Sequence, residues 1–290
     1  MGVYLKTLRM KTIRIAGVPE HYNLPFYQLF KSQPFQSEGV AIDWRTNDNG
    51  TGAMLKALEN KELDMAVLLT EGTLMHSYSK KDVTIIASYV KSPLIWGVHT
   101  HANGSYNPDE GINSQTKFAI SRPKSGSHLM AYLYAKNFSI ELRDSQFIIV
   151  NNMRGAAVSM DNNDADLFLW EKYTIKPLVD EGTFRRIDEF PTPWEPFVIA
   201  VRTEYLQSQK ELVYRVIDEV RQIAQSLINN EETTIDSIVQ TFHLEPSDVR
   251  EWFSTLEWDV QLIHDSTHFN RVLDILVSLK IIKPYYASKL

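Results

Sequence analysis

Short apolar segments alternate with longer stretches of helical periodicity through most of the chain. Strands are predicted at Thr12–Ala16, Val40–Trp44, Asp64–Leu69, Val83–Val90, Leu94–His99, Lys117–Ser121, Gln146–Val150, Ala165–Leu169 and Phe197–Arg202. Several are β-branched runs without clean alternation, the pattern of strands covered on both faces. Helices are predicted near Leu24–Lys31, Thr51–Asn60, Thr73–Ser79, Ser127–Asn137, Arg154–Met160 and Lys172–Glu181. Strand and helix taking turns implies parallel sheets with right-handed crossovers. From Thr203 to Lys280 the pattern becomes almost wholly helical, with starts marked at Glu231–Thr234 and Glu245–Asp248.

Two stretches suggest that the halves are interleaved. Ser88–His99 holds two adjacent strands broken by Ser92 and Pro93, and the extended stretch Phe190–Arg202 carries Pro191, Pro193 and Pro196. Side by side, they would take the chain from one lobe to another near residue 95 and back near 195. The expected lobe one is then residues 10–95 with 196–290, C-terminal helices included, and lobe two is residues 96–195. A ligand cleft at the carboxyl ends of the strands follows from that layout. Two consecutive domains with a plain linker are the alternative.

Charge narrows the function classes. Thirty Lys and Arg against 36 Asp and Glu give a net charge of -6, which argues against non-specific nucleic-acid binding and against a basic membrane-surface protein. The absence of cysteine removes disulfides, thiol nucleophiles and thiolate metal sites. No apolar run reaches the 18 or so residues of a membrane span. The N-terminal stretch carries Lys6, Arg9 and Lys11 and no apolar run of signal-peptide length. The expectation is a cytoplasmic monomer without a cofactor, or an exported one if a leader was removed ahead of this numbering.

Candidate chemistry sits where strands end and helices begin. Pro19-Glu20-His21-Tyr22-Asn23 precedes one helix, and Asn47-Asp48-Asn49-Gly50-Thr51-Gly52 precedes the next, its glycines letting backbone N–H groups approach an anion. Thr70-Glu71-Gly72 ends the third strand. Ser121-Arg122-Pro123-Lys124-Ser125-Gly126-Ser127-His128 opens another helix with cations and hydroxyls suited to a carboxylate, sulfonate or phosphate. Trp170-Glu171 and Trp194-Glu195 each join a flat apolar face to a hydrogen-bond acceptor. Trp44, Trp96, Trp252 and Trp258 read as packing. His99 and His101 lack a supporting third metal ligand, and Asp161–Asp166 lacks the glycine and closing Glu of a calcium loop. Nucleophile-elbow and zinc-protease motifs are missing, so no reaction is specified.

Taken together, Gly50-Thr51-Gly52-x-Met54, Leu63-Asp64-x-Ala66-Val67, Thr70-Glu71-Gly72, Ser125–His128, Trp170-Glu171 and Thr192-Pro193-Trp194 resemble the type II periplasmic-binding-protein fold. More narrowly, they resemble an intracellular branch of fungi and bacteria, similar to thiamine-pyrimidine synthases and to sulfonate/taurine solute receptors. The resemblance spans about residues 12–280. It implies an α/β protein of two lobes, each a mainly parallel sheet flanked by helices, joined by two hinge crossovers and closing on a small ligand. It implies ligand contacts from His21, Tyr22, Asn23, Gly50, Thr51 and Glu71 in lobe one. Lobe two would supply Ser125, Gly126, Ser127, His128 and Trp170, with Trp194 near the hinge. The cysteine motif of the thiamine-pyrimidine synthases is missing, and so is the leader of exported receptors. The expected function is non-catalytic binding of a small polar or heteroaromatic ligand, anionic ones included. The alternatives are an enzyme of pyrimidine or thiamine-precursor metabolism and a sulfonate receptor partnered by an ABC permease.

Overall fold

The computed structural model describes residues 10–264 and 266–283. Residues 1–9, the stretch expected to hold no signal sequence, and residues 284–290 of the expected lobe one lie outside them.

Among the described residues, ten strands form two five-stranded sheets. The first contains β1 (Lys11–Gly17), β2 (Val40–Thr46), β3 (Met65–Leu69), β4 (Val83–Val90) and β10 (Phe197–Arg202), in the order β2-β1-β3-β10-β4. The second contains β5 (Ile95–His101), β6 (Phe118–Ile120), β7 (Phe147–Ile149), β8 (Leu167–Glu171) and β9 (Phe184–Pro191), in the order β7-β6-β8-β5-β9. The orders are equivalent position by position.

The strand directions explain that match. In each sheet four strands run one way and one is reversed: β10 in the first, β5 in the second. The reversed strand is the first laid down after the chain arrives from the other sheet, through residues 91–94 outbound and 192–196 on return. The alternating pattern predicted a mainly parallel arrangement; the pairings make each sheet mixed, because the arriving strand brings no crossover helix to reverse it. The β10 core positions Val198, Ile199, Ala200 and Val201 are fully buried, as an unalternating apolar run requires.

Helices α1 (Leu24–Ser32), α2 (Gly50–Glu59) and α3 (Thr70–Ser79) follow the first three strands. Helices α4 (Gly126–Asn137), α5 (Met153–Asp161) and the short α6 (Lys176–Asp180) follow β6, β7 and β8. The predicted helix Lys172–Glu181 therefore shrinks, and a strand that the apolar pattern hid follows it. That strand, β9, reads FRRIDEFP because it is a sheet edge, where charges discourage pairing with other chains.

The tail is helical as expected: α7 (Thr203–Asn229, with a break in helical geometry at Gln209), α8 (Glu231–Phe242), α9 (Pro246–Thr255) and α10 (Asn270–Ser278). After α9 the chain covers the outer edge of β4: Ser88 and Asp259 donate backbone hydrogen bonds to Gln261 and Tyr89 across it. Asp64, ahead of β3, bonds Arg14 of β1 at 2.8 Å and Arg202 of β10 at 3.1 Å, pinning three neighbouring strands. Among the described residues no helix is long and apolar enough to cross a membrane.

Candidate functional site

The carboxyl ends of β1, β2 and β3 face those of β6, β7 and β8 across a cavity of about 810 Å³. That volume lies within the usual range for small-molecule sites, about 300–1,000 Å³.

Gly50 opens α2 in the left-handed region, at φ +69, which suits glycine. No side chain caps this helix start. Thr51 is occupied elsewhere: its Oγ1 accepts from the Leu69 N–H at 3.1 Å. Over the turn lies Arg122, carried by the loop after β6 of the opposite sheet. A Cβ on Gly52 would stand 3.3 Å from its Nε, and one on Gly50 3.4 Å from its Nη2. Burial lowers the Arg122 pKa, and no acidic neighbour offsets that effect. A guanidinium therefore meets the positive end of a helix with no counter-charge between them.

The start of α4 is differently built. Ser125 caps it, accepting from the His128 N–H at 3.3 Å. Ser127 accepts from the Ser121 N–H at 2.9 Å and lies 3.0 Å from the Ser125 hydroxyl. Gly126 is a close-approach glycine: a Cβ there would meet Trp96 at 2.7 Å and Leu69 of the first sheet at 3.0 Å. The next loop of the same lobe adds Asn151, Asn152 and Arg154 to the cavity wall. Asn152 also caps α5 through the Gly155 N–H at 3.0 Å.

Three carboxylates occupy the inner wall. Glu71 is buried, and its Oε2 accepts from the Trp194 indole N–H at 3.1 Å. Desolvation raises it to about 7, against the opposing pull of its backbone hydrogen bond and Trp194. Desolvation, then repulsion from Glu171, raises Glu20 to about 8. Glu171 is also raised, again by burial, although three donors from residues 173 and 174 favour its charged form. Its Oε1 is buried and has no hydrogen-bond partner.

Of the expected contacts, Gly50, Thr51, Glu71, Ser125, Gly126, Ser127 and Trp170 line this cavity; His21, Tyr22, Asn23, His128 and Trp194 do not. His21 packs edge-on against Trp252 with ring centres 4.2 Å apart, and burial lowers its pKa to about 3, so it stays neutral. The Tyr22 ring packs against Phe197 and Trp252. Asn23 donates from its amide to the Val18 carbonyl at 2.8 Å. Pro19 and Glu20 line the cavity from this segment instead. His128 turns away to accept the Lys124 N–H at 2.8 Å and packs against Phe147. Trp194 positions Glu71 from outside the cavity.

Trp96, read as packing, lines the cavity, its indole N–H donating to Thr192 at 3.0 Å. Residues 151–154 were missed as well. Their signal was present in the sequence: a predicted strand ending at Val150 and a helix beginning at Arg154 bracket a third strand-to-helix junction. Among the described residues no three His, Asp or Glu side chains are placed to hold a metal ion.

Comparison with known proteins agrees with this architecture. A family model described as Ca3427-like PBP matches residues 96–190. The structure of the Candida albicans CA3427 gene product, described as a generic periplasmic-binding-protein fold, is similar at 25% identity. It covers 94% of this chain and 91% of its own, with a TM-score of 0.85. The alkanesulfonate-binding protein SsuA of Xanthomonas axonopodis pv. citri, bound to MOPS, is 13% identical over 95% of this chain and 96% of its own, with a TM-score of 0.78. PhnD1 of Prochlorococcus marinus, in complex with methylphosphonate, is 11% identical over 94% of this chain and 99% of its own, with a TM-score of 0.61. A search of curated sequences finds no match. The chain has the type II periplasmic-binding-protein-like fold, and its structural neighbours are ligand-binding proteins.

Proposed function

From that fold and this cavity, we propose that the protein is a non-catalytic receptor for a small polar or heteroaromatic ligand bearing an anionic group. The two lobes close on the ligand about the crossing segments. The observation that carries the reading is Arg122 lying over Gly50 and Gly52 at the uncapped start of α2. An anion there would take N–H groups from one lobe and a guanidinium from the other, so that its binding would favour the closed state. Trp96 and Trp170 offer apolar faces for a ring or an alkyl chain. The sulfonate and phosphonate ligands of SsuA and PhnD1 fit the same chemistry.

The closing motion has named cross-links. Lys172 and Lys176, beyond β8, pair with Glu251 at 2.7 Å and Asp248 at 3.2 Å on α9. Part of the tail therefore bridges to the second lobe.

A thermal-shift panel of alkanesulfonates, alkylphosphonates, aromatic acids and aminopyrimidines tests the proposal. A ligand at a hundred times its Kd adds about 2.7 kcal/mol of stability, a rise of a few degrees for a chain of this size. The expected result is a rise with at least one anionic series, lost in Arg122→Gln. Stabilisation by uncharged pyrimidines alone, unchanged in Arg122→Gln, would overturn the anion assignment.

A further inference from the structure

Resting on the two-lobe closure in the receptor reading above, we infer that closing takes up a proton held between Glu20 of lobe one and Glu171 of lobe two, so that alkaline pH opens the protein. Glu20 lies in the segment after β1, Glu171 ends β8 of the other sheet, and both line the cavity. The gap between these carboxyls therefore changes whenever the lobes move. The two are held unequally. Oε2 of the buried Glu171 accepts from the Tyr173 N–H at 3.1 Å, the Thr174 N–H at 2.6 Å and the Thr174 hydroxyl at 2.7 Å, whereas its buried Oε1 has no partner. Three donors on one oxygen favour the ionised form. Glu20 has no such support: only burial and the Glu171 charge act on it. The proton of the pair therefore belongs to Glu20 and the negative charge to Glu171.

Among the described residues no cation pairs with either carboxyl. Lys172 favours ionised Glu171, yet its ammonium is committed to Glu251 at 2.7 Å and Glu189 at 3.0 Å. Arg122, Lys124 and Arg154 line the cavity from the loops after β6 and β7, and burial alone acts on Arg122. His21 stays neutral. Burial raises Tyr22 and Tyr173, which remain phenols; the charges of Glu171 and Glu20 both add to the rise at Tyr22, whose ring lies near the pair. Of the other groups on the wall, Glu71 accepts from Trp194, His76 is bound to Asp82 at 2.9 Å, and Asp48 precedes α2.

The direction of the pH effect follows. Apart and in water, each carboxyl ionises near its ordinary value, about 4.3. In the closed cleft Glu20 keeps its proton up to about 8. The pair therefore favours closure in full below about pH 4.3, and that advantage is lost as pH rises through 8. At neutral pH the closing step binds a proton.

The test needs no ligand. Small-angle scattering of the full chain is recorded from pH 6 to pH 9 at constant ionic strength, for the parent, Glu20→Gln and Glu171→Gln, with circular dichroism to confirm folding. The parent should expand as pH rises. Either amide removes the repulsion and should hold the radius of gyration at its low-pH value, so one variant suffices if the other unfolds. A parent radius independent of pH, or an expansion that survives in the folded variants, would overturn the inference. Ethanesulfonate, whose own charge is constant over this range, supplies a second reading. Its affinity should fall about fivefold or more from pH 7 to pH 9 in the parent and less than about twofold in the variants. Its binding enthalpy should depend on the buffer in the sense of proton uptake. Binding without proton uptake would overturn the inference and leave the anion reading standing. Absence of ethanesulfonate binding would count against the anion reading, and the scattering would still decide the carboxyl pair.

Discussion

Arg122 and Glu171 line one cavity, yet the chain holds them in opposite ways. Arg122 is half-buried on a loop and reaches across the cleft to the glycines of α2. Glu171 ends a core strand, is almost wholly buried, and has one oxygen locked by three donors. The half-buried cation can adjust on its loop, whereas the buried carboxylate is fixed by its donors and by the neighbouring Lys172 charge. Attraction of the anion and closure are therefore assigned to Arg122.

The strongest way to break this contrast is charge reversal at the adaptable end. Arg122→Glu places a carboxylate at the anion's position and should weaken sulfonate binding a hundredfold or more, about 2.7 kcal/mol; calorimetry reads the loss directly. Next is the contact between the lobes. Gly126→Val drives a side chain into Trp96 and Leu69, so closure should be obstructed and affinity should fall about tenfold, roughly 1.4 kcal/mol. Unchanged small-angle scattering of the unliganded protein would show that only closure is affected.

The acidic wall makes a prediction without ligand. Burial raises Glu71 above its unfolded value, to about 7, so its protonated form is the one that folding favours. Its contribution is fully present below about pH 4.5 and is lost as pH rises toward 7, at most about 3 kcal/mol from the size of the shift. Melting at pH 5 and pH 8 should show a smaller decline in Glu71→Gln than in the parent. Equal declines would remove Glu71 from the account. At the small end, Trp194→Phe deletes one hydrogen bond to Glu71 and should cost a fewfold in affinity. His21→Phe should leave binding unchanged within twofold, because the ring lies outside the cavity.

The residues of the cavity differ in how readily the sequence reveals them. Gly50–Gly52, Glu71, Ser125–Ser127 and Trp170 were legible because each sits where a strand hands over to a helix, and such junctions collect at one edge of an α/β sheet. His21, Tyr22 and Asn23 lie at such a junction too, yet their neighbours come from far along the chain. Trp252 on α9 and Phe242 on α8 draw the imidazole into an aromatic cluster, and no local pattern records a partner so distant. Trp96 packs in the core as read, and its second role as cavity wall was not legible, because the return segment that brings Thr192 to its N–H lies far along the chain. The edge strand β9 hid behind charges that its exposed position requires. The reversed strands β5 and β10 were visible as strands, but their direction depends on the crossings and not on their own composition.

The most direct test of the central claim is a crystal structure with ethanesulfonate bound. The account predicts sulfonate oxygens about 2.7–3.2 Å from the backbone N–H groups at the start of α2 and from the Arg122 guanidinium. A sulfonate held elsewhere in the cavity, with Arg122 turned away to solvent, would contradict it.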